Sequence, residues 1–568
     1  MQLHEIAAEF INDTKGSLWP AFAPELVLSA TIMVMLLVRA CRWGRFIPAA
    51  VMTLVGAGLA LFVALPSWLP TGPDGGVASH ELFTGMLVLD PFTVYLRIFL
   101  LVFVLLFTVF TVLSRNPERD DATDFYCLVL GSTIGMCLMA SANHLLMVFV
   151  AIEMASVPSY ALAGQMKHKR KSSEAALKYS IYGAGAAGVM LYGISLVAGV
   201  LNTAHLPTIA LKLAETLPSM SGEQTMVLAL GGLMIMVGLA FKLSAVPFHF
   251  WCPDVFEGAS AEVNAFLSVA SKAAALALLV RVAVGVSVPT GSEVATTAPA
   301  ANQPAAISTA SQTALVADEA DLEPMASDQA APLVPVRRFI GLLVGVIAAV
   351  TCTFGNLAAY AQTNIKRLMA YSTIAHAGYM MLAIPAAIEA VGVDAAVSQQ
   401  AIAALALYVA IYLLMNLGAF AVIAFLRNSL GSEEIADYSG LIRRSPIITV
   451  AFALLLFSLV GLPPLAGFFG KFAIFAALAN SWRVTGQNYL LWLLVIGGIN
   501  TAISLFYYLR VVKIMTIDPE RDGGPVPVAP VSFLAGTFVV VLTIPVMTLL
   551  LYIDTLNKWA QAAAQQLF

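Results

Sequence analysis

The chain is a succession of long apolar runs separated by short polar stretches, and about fourteen of the runs are long enough to cross roughly 30 Å of hydrocarbon as α-helices. They fall at 23–41, 46–68, 86–113, 124–141, 144–164, 176–201, 226–250, 259–286, 337–360, 369–387, 400–427, 446–480, 488–513 and 532–553, the twelfth being interrupted. The pattern predicts an all-α polytopic membrane protein. One stretch departs from it: residues 287–336 are rich in Ala, Ser, Thr and Pro and carry acidic but no basic side chains. Such a segment buries too little to offset its ordering entropy, so a flexible loop between two sets of helices is expected there.

Composition settles the solvent. Of 568 residues, 60% are hydrophobic and 11% charged, with a mean hydropathy of +0.87. Water-soluble domains run nearer ~25% charged. The net charge of −4 says little about partners, and nothing suggests nucleic-acid binding. Cys41, Cys127, Cys137, Cys252 and Cys352 are scattered without a CxxC pair, so they read as small apolar core residues and not as disulfide, zinc or iron–sulfur ligands. Glu5, Glu9 and Asp13 precede Pro20 where a signal peptide would carry basic residues, and the first run is expected to be a retained helix.

Charge asymmetry between loops orients the helices. One set of alternate loops carries Arg39, Arg42 and Arg45, Arg115 and Arg119, the run from Lys167 to Lys171, Lys366 and Arg367, Arg427, Arg443 and Arg444, and Arg510, Lys513 and Arg521. The other offers little beyond Lys212, Arg337, Arg338 and Arg483. The positive-inside rule places the basic set in the cytoplasm, with both termini and the 287–336 loop outside.

Four ionisable residues nevertheless interrupt apolar runs: Glu153, Lys242, Lys272 and Lys471. Each costs at least ~2.5–3.5 kcal/mol at membrane depth, and such residues usually mark a route for ions or protons. Arg281 and Lys178 lie nearer the ends of their runs and are expected to snorkel. Glu153 is either a structural counter-ion or half of a switchable pair. A carboxylate keeps the proton on a buried amine, and a desolvated amine that loses its counter-charge gives the proton up.

Two of the lysines sit beside helix breakers. In GLAFKLSAVPFHFWCPDVFEG, Lys242 stands mid-run and is followed by Pro247, which removes a backbone hydrogen bond and clashes with the preceding turn. In SLVGLPPLAGFFGKF, Pro463 and Pro464 break the helix before Lys471. Broken helices at membrane depth are tolerated only where protein buries them or a wet cavity adjoins them. A lysine-bearing pair in two halves, running in opposite directions, points to an inverted-repeat transporter.

His376, in NIKRLMAYSTIAHAGYM, and His249, after Pro247, are either proton relays or hydrogen-bonded packing residues. Tyr371, Ser372 and Thr373 either hold water beside His376 or bond their own helix. No axial pair for haem emerges from the seven histidines. Gly183, Gly185 and Gly188 spell GxGxxG inside an apolar run with no preceding strand, so close helix packing is the better reading than dinucleotide binding.

GLAFKLSAVPFHFWCPDVFEGASAEVNAFLSVASKAA, TNIKRLMAYSTIAHAGYM and GLPPLAGFFGKF together resemble the signature segments of the antiporter-like membrane subunits of respiratory complex I, relatives of subunits of multi-component cation/proton antiporters. The resemblance covers about residues 86–513 and is strongest to the subunit N branch, the counterpart of mitochondrial subunit 2. A lysine at Lys471, where the subunit M branch has glutamate, agrees with that branch. The lack of a long lateral helix after the last run argues against the subunit L branch.

The resemblance implies fourteen helices with two inverted five-helix repeats: N-terminal helices over 1–123, a first repeat over 124–286, the outer loop over 287–336, a second repeat over 337–513 and a last helix within 514–568. It implies roles in proton translocation for Glu153 and Lys242 as an uptake-side pair, Lys272 as a central relay, His376 on the central axis and Lys471 as the terminus. It further implies a bacterial inner (plasma) membrane location and membrane lipid and the other membrane and peripheral subunits of complex I as partners. No cofactor is expected in this chain; NADH, FMN, iron–sulfur clusters and quinone are expected on those partners. The expected function is redox-driven outward proton pumping, as a non-redox subunit of NADH:quinone oxidoreductase. A cation/proton antiporter subunit, a ferredoxin-driven relative and a structural spacer are the alternatives.

Overall fold

The computed structural model describes residues 3–42, 46–67, 79–288, 331–519 and 531–567. Most of the expected loop, 289–330, lies outside the described residues. The first part comprises α1 (Leu3–Leu18), α2 (Ala23–Ala40), α3 (Ala49–Ala64), a hairpin of β1 (His80–Leu82) and β2 (Leu87–Leu89), and α4 (Pro91–Ser114). There follow α5 (Ala122–Ser141), α6 (Leu145–Ala163), α7 (Arg170–Leu201), α8 (Leu206–Thr216), α9 (Gly222–Leu243), α10 (Trp251–Gly258), α11 (Ala261–Ser268) and α12 (Ala270–Ser287). Beyond the undescribed segment lie α13 (Val334–Ala359), α14 (Ile365–Met381), α15 (Ala383–Ala390), α16 (Ala395–Leu430), α17 (Leu441–Arg444), α18 (Pro446–Val460), α19 (Ala466–Thr485), α20 (Asn488–Thr516), α21 (Phe533–Thr548) and α22 (Ile553–Ala564).

Eleven helices among the described residues are long and apolar enough to cross a membrane; the chain is a polytopic helical membrane protein. Short apolar helices α3 and α18 fall below that length. Ends are set by local chemistry. Asp90 accepts a hydrogen bond from the Thr93 N–H and Pro91 opens α4 without wasting a donor. Ser221 and Gln224 form a reciprocal capping box at α9. The longest helix, α16, has 36 residues, extends about 54 Å, and is buried on nearly every face. It packs against α4, α11, α15, α18, α19 and α21 and so forms the core of the bundle.

Elsewhere helix pairs approach closely through small residues. A Cβ on Gly135 of α5 would lie 2.5 Å from the Ala155 nitrogen of α6, and one on Gly378 of α14 would lie 2.6 Å from the Cys352 nitrogen of α13. Only Gly fits such contacts. Of the GxGxxG glycines, Gly183 meets Tyr160 in this way, whereas Gly185 and Gly188 face open space.

Several expectations are corrected. The run at 226–250 ends as a helix at Leu243, because Ser244 turns left-handed (φ 57°) ahead of Pro247, whose ring disfavours helix at Val246. Lys242 is therefore in the last turn of α9 and not mid-span. The run at 259–286 is interrupted at Val269, where no proline or glycine signals a break. The β1–β2 hairpin, α8 and α22 were not visible as apolar runs. Cys137, Cys252 and Cys352 are buried, but Cys41 is exposed and Cys127 only partly covered. Arg281 does not snorkel: it is buried and holds both oxygens of Asp90, at 2.5 Å each. Lys178, its side chain 36% exposed, pairs with Asp254 and Glu174.

Candidate functional site

Three helix interruptions carry the lysines into the protein interior. Lys242 is 1% exposed, Lys272 3% and Lys471 3%, so the interior and not the lipid is their surroundings. His376, on α14, is 1% exposed. Glu153, on α6, is only half-buried.

Lys242 donates to the Ser156 hydroxyl at 2.9 Å, one turn along α6 from Glu153. Glu153 itself lies within Coulombic reach of Lys242 but makes no ion pair or hydrogen bond with it among the described residues. The pair is thus separated, with Ser156 holding the ammonium.

Lys272 occupies the first turn of α12, just after the break at Val269, and its Nζ is buried without a protein hydrogen-bond partner. Ser268, which ends α11, accepts a 2.7 Å hydrogen bond from Asn416 of α16. Asn416 Oδ1 is likewise buried without a partner. Unpartnered buried polar atoms of this kind are expensive in a dry interior.

His376 is held at both nitrogens. Nδ1 lies 2.7 Å from the Tyr408 hydroxyl and Nε2 3.3 Å from that of Tyr508; Tyr508 is in turn 2.5 Å from Ser372 Oγ. The imidazole lies within Coulombic reach of both Lys272 and Lys471. Thr373 bonds the Met369 carbonyl of its own helix, while Tyr371 faces Phe354. Lys471 donates to the Val460 carbonyl at 2.9 Å and stands 4.4 Å above the Tyr379 ring. That carbonyl is free to accept because α18 stops there, with Gly461 at φ 90°. Gly467 packs against the Ser458 carbonyl, where a Cβ would lie at 1.8 Å. His249 lies edge-on to Phe354, with ring centroids 4.5 Å apart.

The structure thus brings Lys272, His376 and Lys471 into one interior region and sets Lys242 with Glu153 beside it. No direct hydrogen bond joins one of these five residues to the next among the described residues. Tyr408, Tyr508, Ser156, Ser268 and Asn416 escaped sequence reasoning. Each lies in an apolar run, and only its opposite partner on another helix marks it.

Residues 142–296 and 325–504 match the family described as NADH:quinone oxidoreductase/Mrp antiporter, TM. The chain belongs to that family. The gap in the match falls inside the Ala/Ser/Thr/Pro-rich segment, so the family's shared part flanks it. Within this NADH:quinone oxidoreductase/Mrp antiporter family, the chain is 35% identical to a protein of Anaeromyxobacter sp. named NADH-quinone oxidoreductase subunit N, covering 98% of each. It is 36% identical to NADH-quinone oxidoreductase subunit N 2 of Sorangium cellulosum, covering 94% of each. Among solved structures, a chain of respiratory complex I from Thermus thermophilus with bound aureothin is 28% identical at a TM-score of 0.65, covering 94% of this chain and 98% of that one. A chain of the Mrp complex from Dietzia sp. shares the fold at a TM-score of 0.73 and 18% identity, covering 96% and 97%.

Proposed function

We propose that this chain is the subunit N-type, proton-translocating member of the membrane arm of a bacterial NADH:quinone oxidoreductase. The observation that carries the reading is the set of three lysines beside helix interruptions and one histidine within α14, each at most 3% exposed, in the interior of a membrane bundle. The names of the curated relatives support the complex, since they share about a third of their residues over almost the whole chain. They also favour this reading over a cation/proton antiporter, for which the likeness is one of fold.

In this reading the redox reaction takes place on partner subunits, which carry NADH, FMN, iron–sulfur clusters and quinone. The residues of this chain hold and move protons. Glu153 and Lys242 form the uptake-side pair, with Ser156 as the alternative partner of the ammonium. Lys272 and His376 relay, the tyrosines orient the imidazole, and Lys471 is the terminus. Each charge moved against 100 mV requires about 2.3 kcal/mol, which the redox partners supply.

Counting α3, the α14–α15 pair and the α18–α19 pair as crossings beside the eleven long helices gives fourteen. That count supports two inverted five-helix repeats over 124–286 and 337–513, with both termini outside. The test is Lys242→Ala in the assembled complex, with NADH-driven proton uptake and NADH:quinone turnover measured in membrane vesicles. Proton uptake is expected to be abolished. If both quantities persist at wild-type levels in an assembled complex, the reading is wrong.

A further inference from the structure

The short helix α10 lies between the interruption that follows Lys242 and the helix pair that carries Lys272. It is held by charge from two directions, on the face of the bundle rich in Lys and Arg. From α7, Lys171 bonds Glu257 and Lys178 bonds Asp254, each at 2.8 Å. From α14, one guanidinium nitrogen of Arg367 bonds both Asp254 and Glu257, at 2.9 Å each. The neighbouring Lys366 donates to the Ala259 carbonyl at 2.8 Å, just past the end of α10. Glu433 fixes that ammonium at 2.8 Å.

Two adjacent residues at the start of the His376 helix therefore grip both the side chains and the exit of α10. The lysine of the two is 2% exposed, so its grip is not screened by solvent. Burial works against ionisation of Asp254 and Glu257, yet the facing cations outweigh it and hold both carboxyls below their usual range. α10 has only two turns and is flanked by non-helical residues at Ser244 and Ala259. These bonds add a charged clasp to the direct packing of α10 against α14.

We propose that Arg367 is a positioning residue for proton translocation: with Lys366 it clasps α10 to the start of α14, so that the Lys242–Lys272 segment and the His376 helix move as one body. The inference rests on the function proposed above. A rearrangement at the Lys242 interruption is then delivered to His376 through α10, whereas an unclasped α10 lets the two halves move independently.

The test compares Arg367→Gln, Arg367→Lys and wild type in the intact complex in membrane vesicles, measuring assembled complex, NADH:quinone turnover and protons taken up per NADH. Arg367→Gln is expected to assemble and turn over, with protons per NADH lowered at least threefold. Arg367→Lys, which restores the point charge, is expected to recover most of that ratio. An unchanged ratio in assembled Arg367→Gln overturns the clasp, as does a Lys variant no better than Gln. If Arg367→Gln does not assemble, Glu257→Gln takes its place, because Asp254 still holds the guanidinium. A partial fall in the ratio supports the clasp and an unchanged ratio overturns it. Wild-type vesicles without NADH-driven uptake would overturn the functional reading itself, which separates the two failures.

Discussion

Lys272 and Arg281 are both buried cations on α12, yet the same substitution is expected to have opposite effects on stability. Arg281→Met removes two 2.5 Å bonds to Asp90 and the bonds to the Ala140 carbonyl and Thr93 hydroxyl. It leaves the Asp90 carboxylate, 2% exposed, without a counter-charge. Breaking one partner of a buried pair costs about 3–5 kcal/mol. The surviving bond from the Thr93 nitrogen, at 2.8 Å, keeps the cost towards the lower figure. Lys272→Met instead keeps the aliphatic stem and deletes an ammonium that no protein group engages. It is expected to lose no stability, and its gain is bounded by the ~2.5–3.5 kcal/mol penalty of a lysine at membrane depth. The thermal unfolding midpoint of the solubilised complex should therefore fall in Arg281→Met and hold or rise in Lys272→Met. NADH-driven proton uptake should be lost in Lys272→Met. If the two variants lower the midpoint equally, Lys272 is engaged as a structural residue and its place as an uncompensated relay charge is refuted.

Tyr408→Phe and Tyr508→Phe each delete one hydrogen bond to His376, about 1 kcal/mol net, or roughly fivefold. Proton uptake per NADH should fall by about that factor in each, and the double variant should lose less than the product, because both act through one imidazole; unaffected uptake in both would remove His376 from the route. At the opposite end of the bundle, the hydrogen bond from His205 holds the Glu81 carboxyl below its usual range, with burial working against it. A depressed folded-state value means that the stabilisation is present above the unfolded carboxylate pKa of ~4.3 and is lost as pH falls through the folded value. Hydrogen exchange in the Leu82–Leu87 hairpin should accelerate on acidification below about pH 4. This acid step should vanish in His205→Ala, and its survival there would assign it to another group.

The candidate residues were legible because hydropathy is local. A lysine in an apolar run is conspicuous whatever the fold, and Glu153, Lys242, Lys272 and Lys471 each stand out on that ground. Tyr408 and Asn416 were not legible, since α16 is buried on almost every face and no periodicity distinguishes the side towards His376 from the others. The break at Val269 has no proline or glycine to announce it. Arg281 looked like a snorkelling cation because Asp90 is 191 residues away and only the packed bundle brings the two together.

By itself, then, the sequence determined that the chain is a polytopic helical membrane protein, where Pro247 and Pro463–Pro464 interrupt its apolar runs, and which charges those runs carry. All three follow from transfer free energies and backbone sterics, which act within a single helix length. Tertiary structure alone decided that Lys242 rests on Ser156 and not on Glu153, that His376 is held between two tyrosines, that Lys272 is left without a protein partner, and that α10 is clasped by α14. Those outcomes depend on which helices become neighbours. A hydrogen bond or ion pair is set by distances of about 3 Å between groups far apart in the chain, and no local window contains both of its ends.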